Sequence, residues 1–284
     1  MAKLVRPAKN ADKAPLMEFI SRNWGGHDYI PRVWDEWMKE GDARTFVVEV
    51  DGKPVGMNRV KFLEDGSAWL EGARVHPDYR GAGLATSLGE NSIRHARKHG
   101  RRVVRLVTNS HNHSALRQIA RMGFRETTRM SVYVPKKRAR LSPQRGVRLA
   151  KAADLKRIEA SVVNSQEFRF GGGVYWDGFR AVALTHRTIQ RLVKERRALL
   201  SGEAVAFVKK GEEGREPFRQ VCFVCGSPKG MANLIEHVLA RGGKRFLERY
   251  LCAPQGSRVV AAAKEAGLER WSSYILFQRT SPNG

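Results

Sequence analysis

Read for the spacing of its apolar positions, the first half of the chain switches repeatedly between extended and helical patterns. Leu4 to Arg6 predicts a short strand, and Leu16, Phe19 and Ile20 recur at helical spacing within Ala11 to Arg22, behind Asn10 as an N-cap. Thr45 to Val50 and Val55 to Leu63 are β-branched, apolar runs around the turn residues Asp51-Gly52-Lys53-Pro54, and Ala68 to Val75 follows Asp65-Gly66-Ser67. Three such runs joined by short turns predict an antiparallel meander. From Gly83 to Lys98, Leu84, Ala85, Leu88, Ser92, Ile93 and Ala96 fall on one half of a helix that ends at Gly100. Val103 to Val107 then reads as a strand, Ser114 to Met122 as a helix stopped by Gly123, and Met130 to Val134 as a closing strand. The expected order is βααβββαβαβ, an α/β (α+β) fold with a mixed, mostly antiparallel sheet flanked by helices.

The second half repeats the first. Val5-Arg6-Pro7-Ala8-Lys9-Asn10-Ala11-Asp12 matches Val147-Arg148-Leu149-Ala150-Lys151-Ala152-Ala153-Asp154. Val33-Trp34-Asp35-Glu36-Trp37 pairs with Tyr175-Trp176-Asp177-Gly178-Phe179, and Arg121-Met122-Gly123-Phe124-Arg125 with Glu265-Ala266-Gly267-Leu268-Glu269. Three landmarks in one order predict two tandem copies of one domain, over 1–137 and 147–284. The polar, basic, proline-bounded segment 138–146 is the expected linker.

Length and composition fit this division. The 284 residues, 42% hydrophobic and 28% charged, suffice for two ordinary domains and exclude a disordered chain. No run of about 18 apolar residues exists, and the charged opening lacks a signal-peptide core, so a soluble cytoplasmic protein without membrane contact is expected. Cys222, Cys225 and Cys252 are an odd count that argues against a disulfide framework, and their place in apolar runs assigns them to the core. The net charge of +24 attracts phosphates. It is spread evenly, with 27 basic and 15 acidic residues in 1–140 and 25 and 13 in 141–284, which fits a generally basic cytoplasm or a phosphate-rich ligand at least as well as a dedicated nucleic-acid groove.

One segment carries the chemistry. Val75-His76-Pro77-Asp78-Tyr79-Arg80-Gly81-Ala82-Gly83-Leu84-Ala85 lies between the end of a strand and the start of an amphipathic helix. Glycines let successive main-chain N–H groups converge on an anion, the helix N-terminus adds partial positive charge, and Arg80 adds a full one. Such a turn suits a pyrophosphate.

Here the chain resembles the GCN5-related N-acetyltransferase (GNAT) superfamily. Its acetyl-CoA motif Q/R-x-x-G-x-G/A corresponds to the stretch from Arg80 to Ala85, and Asn112-His113-Ser114-Ala115 with Met122-Gly123-Phe124 resembles its later helix and closing strand. Within the family, Gly25-Gly26-His27-Asp28-Tyr29-Ile30-Pro31 and Glu71-Gly72-Ala73-Arg74-Val75 are similar to the histidine N-acetyltransferase group. The resemblance implies acetyl-CoA held between splayed central strands, with Val75 near the thioester, Arg80, Gly81, Ala82, Gly83, Leu84, Ala85 and Thr86 around the pyrophosphate, and Asn112 also on the cofactor side. It implies Glu71 as the base that removes the amine proton, on the same strand face as Val75 by the period of two. Asp28, Tyr29 and Trp34 fall in the segment that lies over the acceptor in this family. The tyrosine that usually protonates the CoA thiolate falls at Ile119, leaving Tyr133, Ser114 and His113 as alternative donors. No metal site is expected.

The second copy offers Cys225-Gly226-Ser227-Pro228-Lys229-Gly230 where the first has its glycine turn, and Gly256 where it has Asn112. It is expected to keep the fold and lose the site, with Gly171-Gly172-Gly173-Val174-Tyr175-Trp176 as a flexible segment. The expected function is acetyl transfer from acetyl-CoA to the primary amine of a small molecule, such as a free amino acid. A protein N-terminus or lysine is the alternative acceptor, and a noncatalytic CoA- or nucleic-acid-binding protein the alternative of another class. Monomer and homodimer both remain open.

Overall fold

A computed structural model describes residues 2–210, 219–240 and 249–281. The chain divides into two compact units, one holding the residues up to Leu106 with Asn112–Arg125 and the chain's end from Phe277, the other Val107–His111 and Glu126–Leu276.

In the first unit β1 (Lys3–Pro7), α1 (Lys13–Ile20), α2 (Ile30–Trp37), β2 (Ala43–Val50), β3 (Lys53–Phe62), β4 (Ala68–Val75), α3 (Leu84–Lys98), β5 (Val103–Asn109), as far as Leu106, and α4 (His113–Arg121) follow in the expected order. The strands β1 to β4 are antiparallel neighbours in sequence order. The turn between β2 and β3 sits at Asp51 and Gly52, with φ of +48° and +80°, the left-handed pair of a tight hairpin. Under α1 and α2, Leu16, Phe19, Ile20, Ile30, Trp34, Trp37, Val47 and Met57 form one buried cluster. Each of these large side chains contributes about 1.5–3 kcal/mol on burial.

The expected helix Ala11–Arg22 starts later than its pattern suggests. Asn10–Asp12 is a 3₁₀ turn, and Asn10 does not cap α1. The local anchor is Asp12, whose carboxylate accepts from Lys9 N at 2.7 Å and from both terminal nitrogens of Arg6 at 2.8 Å.

β6 (Arg125–Pro135) leads into the second unit. There β7 (Arg148–Leu149), α5 (Leu155–Val163), α6 (Gln166–Phe170), β8 (Val174–Asp177), β9 (Arg180–Ala183), α7 (His186–Lys194), β10 (Ala198–Ser201), β11 (Ala204–Lys210), β12 (Arg219–Cys225), α8 (Pro228–Leu239), β13 (Arg249–Pro254), α9 (Val259–Glu265) and β14 (Leu268–Thr280) follow. Its sheet runs β14-β6-β13-β12-β11-β10-β7. The units therefore do not follow the sequence halves. Most of β6, from the first copy, lies in the second unit, and β14 from Phe277 lies in the first.

The repeat is visible in atoms. Arg148 donates to both oxygens of Asp154 at 2.7 Å and Lys151 N donates to Asp154 at 2.8 Å, reproducing the Arg6–Asp12 clamp. Gly123 and Gly267, with φ of +71° and +76°, both turn a helix into a strand. The middle landmark fails. Val33–Trp37 lies in α2, whereas Tyr175–Asp177 lies in the hairpin strand β8, so that match was one of composition. Gly171–Gly173 is not a loose segment either: a Cβ at Gly171 would stand 2.9 Å from Glu167 O, and one at Gly172 2.7 Å from the Thr127 side chain. Cys222, Cys225 and Cys252 are free and buried, as expected, and burial pushes the thiols of Cys225 and Cys252 up to about 12.

Candidate active site

β4 carries the candidate base and ends at the glycine turn. Its antiparallel register with β3 pairs Arg59 with Glu71 and Gly56 with Val75, and slips between Met57 and Arg59. One extra residue of β4 is accommodated there, with Gly72 at φ +69°. A Cβ on Gly72 would lie 2.9 Å from the Trp37 ring, so both the backbone and the packing demand glycine. The bulge breaks the period of two. Arg59 and Gly56 are three apart on β3, so their partners Glu71 and Val75 lie on opposite faces rather than on the same one. On its other side, β4 pairs with β5 only at Ala68 and Trp69, opposite Val104 and Arg105.

Glu71 accepts a 2.6 Å hydrogen bond from Arg59 Nη1. Arg59 itself is wholly buried, donates through Nη2 to Glu40 at 2.7 Å, and lies 4.6 Å over the Trp37 ring. Lys61 also donates to Glu40. Although burial pushes the Glu40 carboxyl up, Lys61 and Arg59 outweigh it and hold it below the usual carboxylate range.

After Val75 the chain passes a 3₁₀ turn at Pro77–Tyr79, and Arg80 Nε turns back to the Val75 carbonyl at 3.4 Å. Gly81 and Gly83 take φ of +84° and +71°, and Gly83 is the residue before α3. A Cβ at either would meet nothing within 4 Å. Glycine is thus required by backbone angle, while the space above the turn is open. Gly81, Ala82 and Gly83 are exposed, and the first turn of α3 offers its N–H groups and partial positive charge beside them. Leu84 turns its side chain into the core, leaving its main chain for an anion, while Ala85 and Thr86 are half-buried. An exposed cradle of main-chain donors with one adjacent arginine fits the pyrophosphate of acetyl-CoA.

The remaining expected residues are placed less directly. Asn112 Oδ1 accepts from Ala115 N at 3.1 Å, making it the N-cap of α4. Trp34 is 1% exposed within the α1–α2 cluster and presents no surface to an acceptor. Asp28 is buried, and its carboxylate is already taken by Arg74 Nε at 2.7 Å, Arg74 Nη2 and Ile30 N at 3.1 Å, and Asn23 Nδ2 at 3.1 Å. It is a structural anchor, not a partner for an ammonium group. Tyr29 is partly exposed. Ile119 is buried; His113 and Ser114 are exposed at the start of α4, and Tyr133 lies in the core cluster of the second unit. Sequence reasoning missed the roles of Arg59 and Arg74, whose signal was only a charge within an apolar strand, and of Glu40, which lies between α2 and β2.

The profile of the acetyltransferase (GNAT) family matches residues 14–124, from the start of α1 through the glycine turn to the end of α4. That stretch is a GNAT domain. Enzymes of this family take their acetyl group from acetyl-CoA. Over 141 residues the chain is 32% identical to an uncharacterised N-acetyltransferase of Methanocaldococcus jannaschii, an alignment covering 43% of this chain and 60% of that protein. Over 63 residues it is 38% identical to a histidine N-acetyltransferase of Xenopus tropicalis, covering 22% of this chain and 19% of that one. The chain thus spans less than two thirds of either relative. The crystal structure of a GCN5-related N-acetyltransferase from Sphaerobacter thermophilus shares the fold at a TM-score of 0.64 and 17% identity, covering 99% of this chain and 96% of that one.

The turn that opens α8 is built differently from the cradle that opens α3. Between β12 and α8, Ser227 Oγ accepts from Gly230 N at 3.2 Å and closes the helix N-terminus. A Cβ on Gly226 or on Gly230 would lie 2.6 Å from atoms of Ala204. Where Gly81 and Gly83 face open space, these glycines face protein.

Proposed function

We propose that this chain transfers the acetyl group of acetyl-CoA to the primary amine of a small molecule, most simply a free amino acid, with catalysis in the GNAT domain. The observation that carries this reading is the open glycine cradle at the start of α3, one turn beyond a strand whose parallel pairing ends at Trp69. The likeness to histidine N-acetyltransferases supports an amino acid as acceptor.

Bound acetyl-CoA supplies an activated thioester. Arg80, Gly81, Gly83 and the main chain of Leu84 to Thr86 hold its phosphates, and Val75 begins the turn beside them. An amine attacks only when unprotonated; Glu71 accepts its proton, directly or through water, while Arg59 fixes the carboxylate in place. Main-chain N–H groups of β4 beyond Trp69, where its pairing with β5 ends, would act as donors for the developing oxyanion. The thiolate leaves without a tyrosine at position 119, and a thiol of pKa near 8.5 does so readily.

The test is thiol release from acetyl-CoA by the purified chain with free amino acids including histidine, polyamines, short peptides and a no-acceptor blank. One acceptor class above the blank, with turnover lost in Glu71→Gln and acetyl-CoA binding weakened in Arg80→Ala, is the expected result. Turnover with peptides alone, or binding of nucleic acid without thiol release, overturns it.

A further inference from the structure

Between α1 and α2 a bulky residue occupies a backbone conformation that suits glycine. Trp24 has φ +51° and Gly25 φ +65°, inside a 3₁₀ turn over Asn23–Gly26. Left-handed backbone is uncommon for any side chain and a genuine outlier for a bulky one. The indole gains little from burial in return, because Trp24 is 63% exposed. Strain of this kind persists only where the surroundings impose it, and it clusters at ligand-contacting positions.

The surroundings here are specific. The Arg74 guanidinium lies 4.5 Å from the centroid of the Trp24 ring and 5.7 Å from that of Tyr29. Its nitrogens are occupied: Nε and Nη2 bind Asp28, and Nη1 donates to the Ala73 carbonyl at 2.9 Å. Asp28 is in turn fixed by Ile30 N and Asn23. Arg74 is therefore a rigid plate under the rings. Tyr29, 39% exposed, is braced on its edge by Trp37, with centroids 5.8 Å apart at 75°. Arg74 also directly precedes Val75, whose carbonyl receives Arg80, so the two rings stand at the end of β4 where the cradle begins.

We propose that Trp24 and Tyr29 are specificity-determining residues that receive the acceptor's side chain, and that the acceptor is a primary amine carrying a planar ring, of the aromatic or imidazole-bearing amino-acid class. This rests on the acetyl-transfer reading. Two exposed rings held against a guanidinium that Asp28 and the Ala73 carbonyl fix in place offer a π-rich surface, which favours a flat ring over an aliphatic chain. A ring contact of this type corresponds to roughly two- to tenfold in affinity.

The experiment compares wild type, Trp24→Gly and Trp24→Phe by three readouts: KM for ring-bearing against aliphatic amino acids, tryptophan fluorescence on titration with a ring-bearing amino acid in the presence of CoA, and thermal midpoint. In Trp24→Gly the thermal midpoint is expected to rise as left-handed strain is relieved. The KM of ring-bearing relative to aliphatic acceptors is expected to rise about tenfold, with Trp24→Phe restoring most of it. A role confined to folding would not move stability and specificity in opposite directions. An unchanged KM ratio in Trp24→Gly overturns the proposal, as does the absence of ring-dependent fluorescence change in wild type. If no acceptor turns over, the acetyl-transfer reading fails, and the titration still decides: ring-selective binding lost in Trp24→Gly upholds the surface, and equal binding by both proteins overturns it.

Discussion

Arg59 donates to Glu71 at 2.6 Å from a side chain that solvent does not reach, and the same guanidinium holds Glu40 at 2.7 Å. The candidate base is thus part of a buried ion network. Removing one member of such a network leaves an uncompensated charge, whereas changing a carboxylate to an amide keeps an acceptor oxygen. Arg59→Ala is expected to lose about 3–5 kcal/mol in urea denaturation. Glu71→Gln is expected to lose about 1 kcal/mol while lowering kcat by roughly a hundredfold or more. An unchanged kcat in Glu71→Gln would show that Glu71 acts only as a counter-ion.

The glycine turn separates backbone angle from contact. Ala at position 81 or 83 touches nothing, so Gly81→Ala is expected to cost only about 1 kcal/mol from its positive φ. Its Cβ projects into the open space of the cradle, and acetyl-CoA affinity measured by calorimetry is expected to fall at least tenfold. Arg80→Ala is expected to weaken binding and flatten its dependence on salt, because a full charge facing phosphate is removed.

Gly226 makes the opposite case. With φ at +122° and only 2.6 Å between an added Cβ and Ala204, Gly226→Ala is expected to lose about 2–4 kcal/mol in thermal or chemical unfolding. Acetyl-CoA affinity of the folded protein is expected to stay at the wild-type value. A loss of affinity there would mean that the second copy binds the cosubstrate after all.

Acid should release the α1–α2 segment. Burial pushes the Asp28 carboxyl up, but Arg74, Asn23 and the Ile30 N–H outweigh it and hold it below the usual range. A depressed folded pKa contributes stability above the unfolded value of about 3.9, and that stability is lost as pH falls through the folded value. Asp28→Asn is expected to be less stable than wild type at pH 7, with the difference shrinking progressively below about pH 4. Urea midpoints across that range check it; a constant difference would place the effect outside ionisation.

Much of this protein is local and therefore legible in its sequence. The meander follows from apolar runs and Asp51-Gly52. The cradle follows from two glycines beside Arg80 at a strand-to-helix junction. The Arg6–Asp12 clamp and its copy at Arg148–Asp154 lie within a few residues, so repeat and structure agree there. Tertiary structure decided the rest. The bulge at Gly72 placed Glu71 and Val75 on opposite faces, which depends on where β3 pairs and not on β4 alone. Arg74 took Asp28 from 46 residues away, Ala204 closed the turn at Gly226, and packing buried Trp34 while leaving Trp24 exposed. Residue type sets what a side chain is able to do; its partners are fixed by strand pairing and packing between segments distant in sequence, which local patterns do not encode.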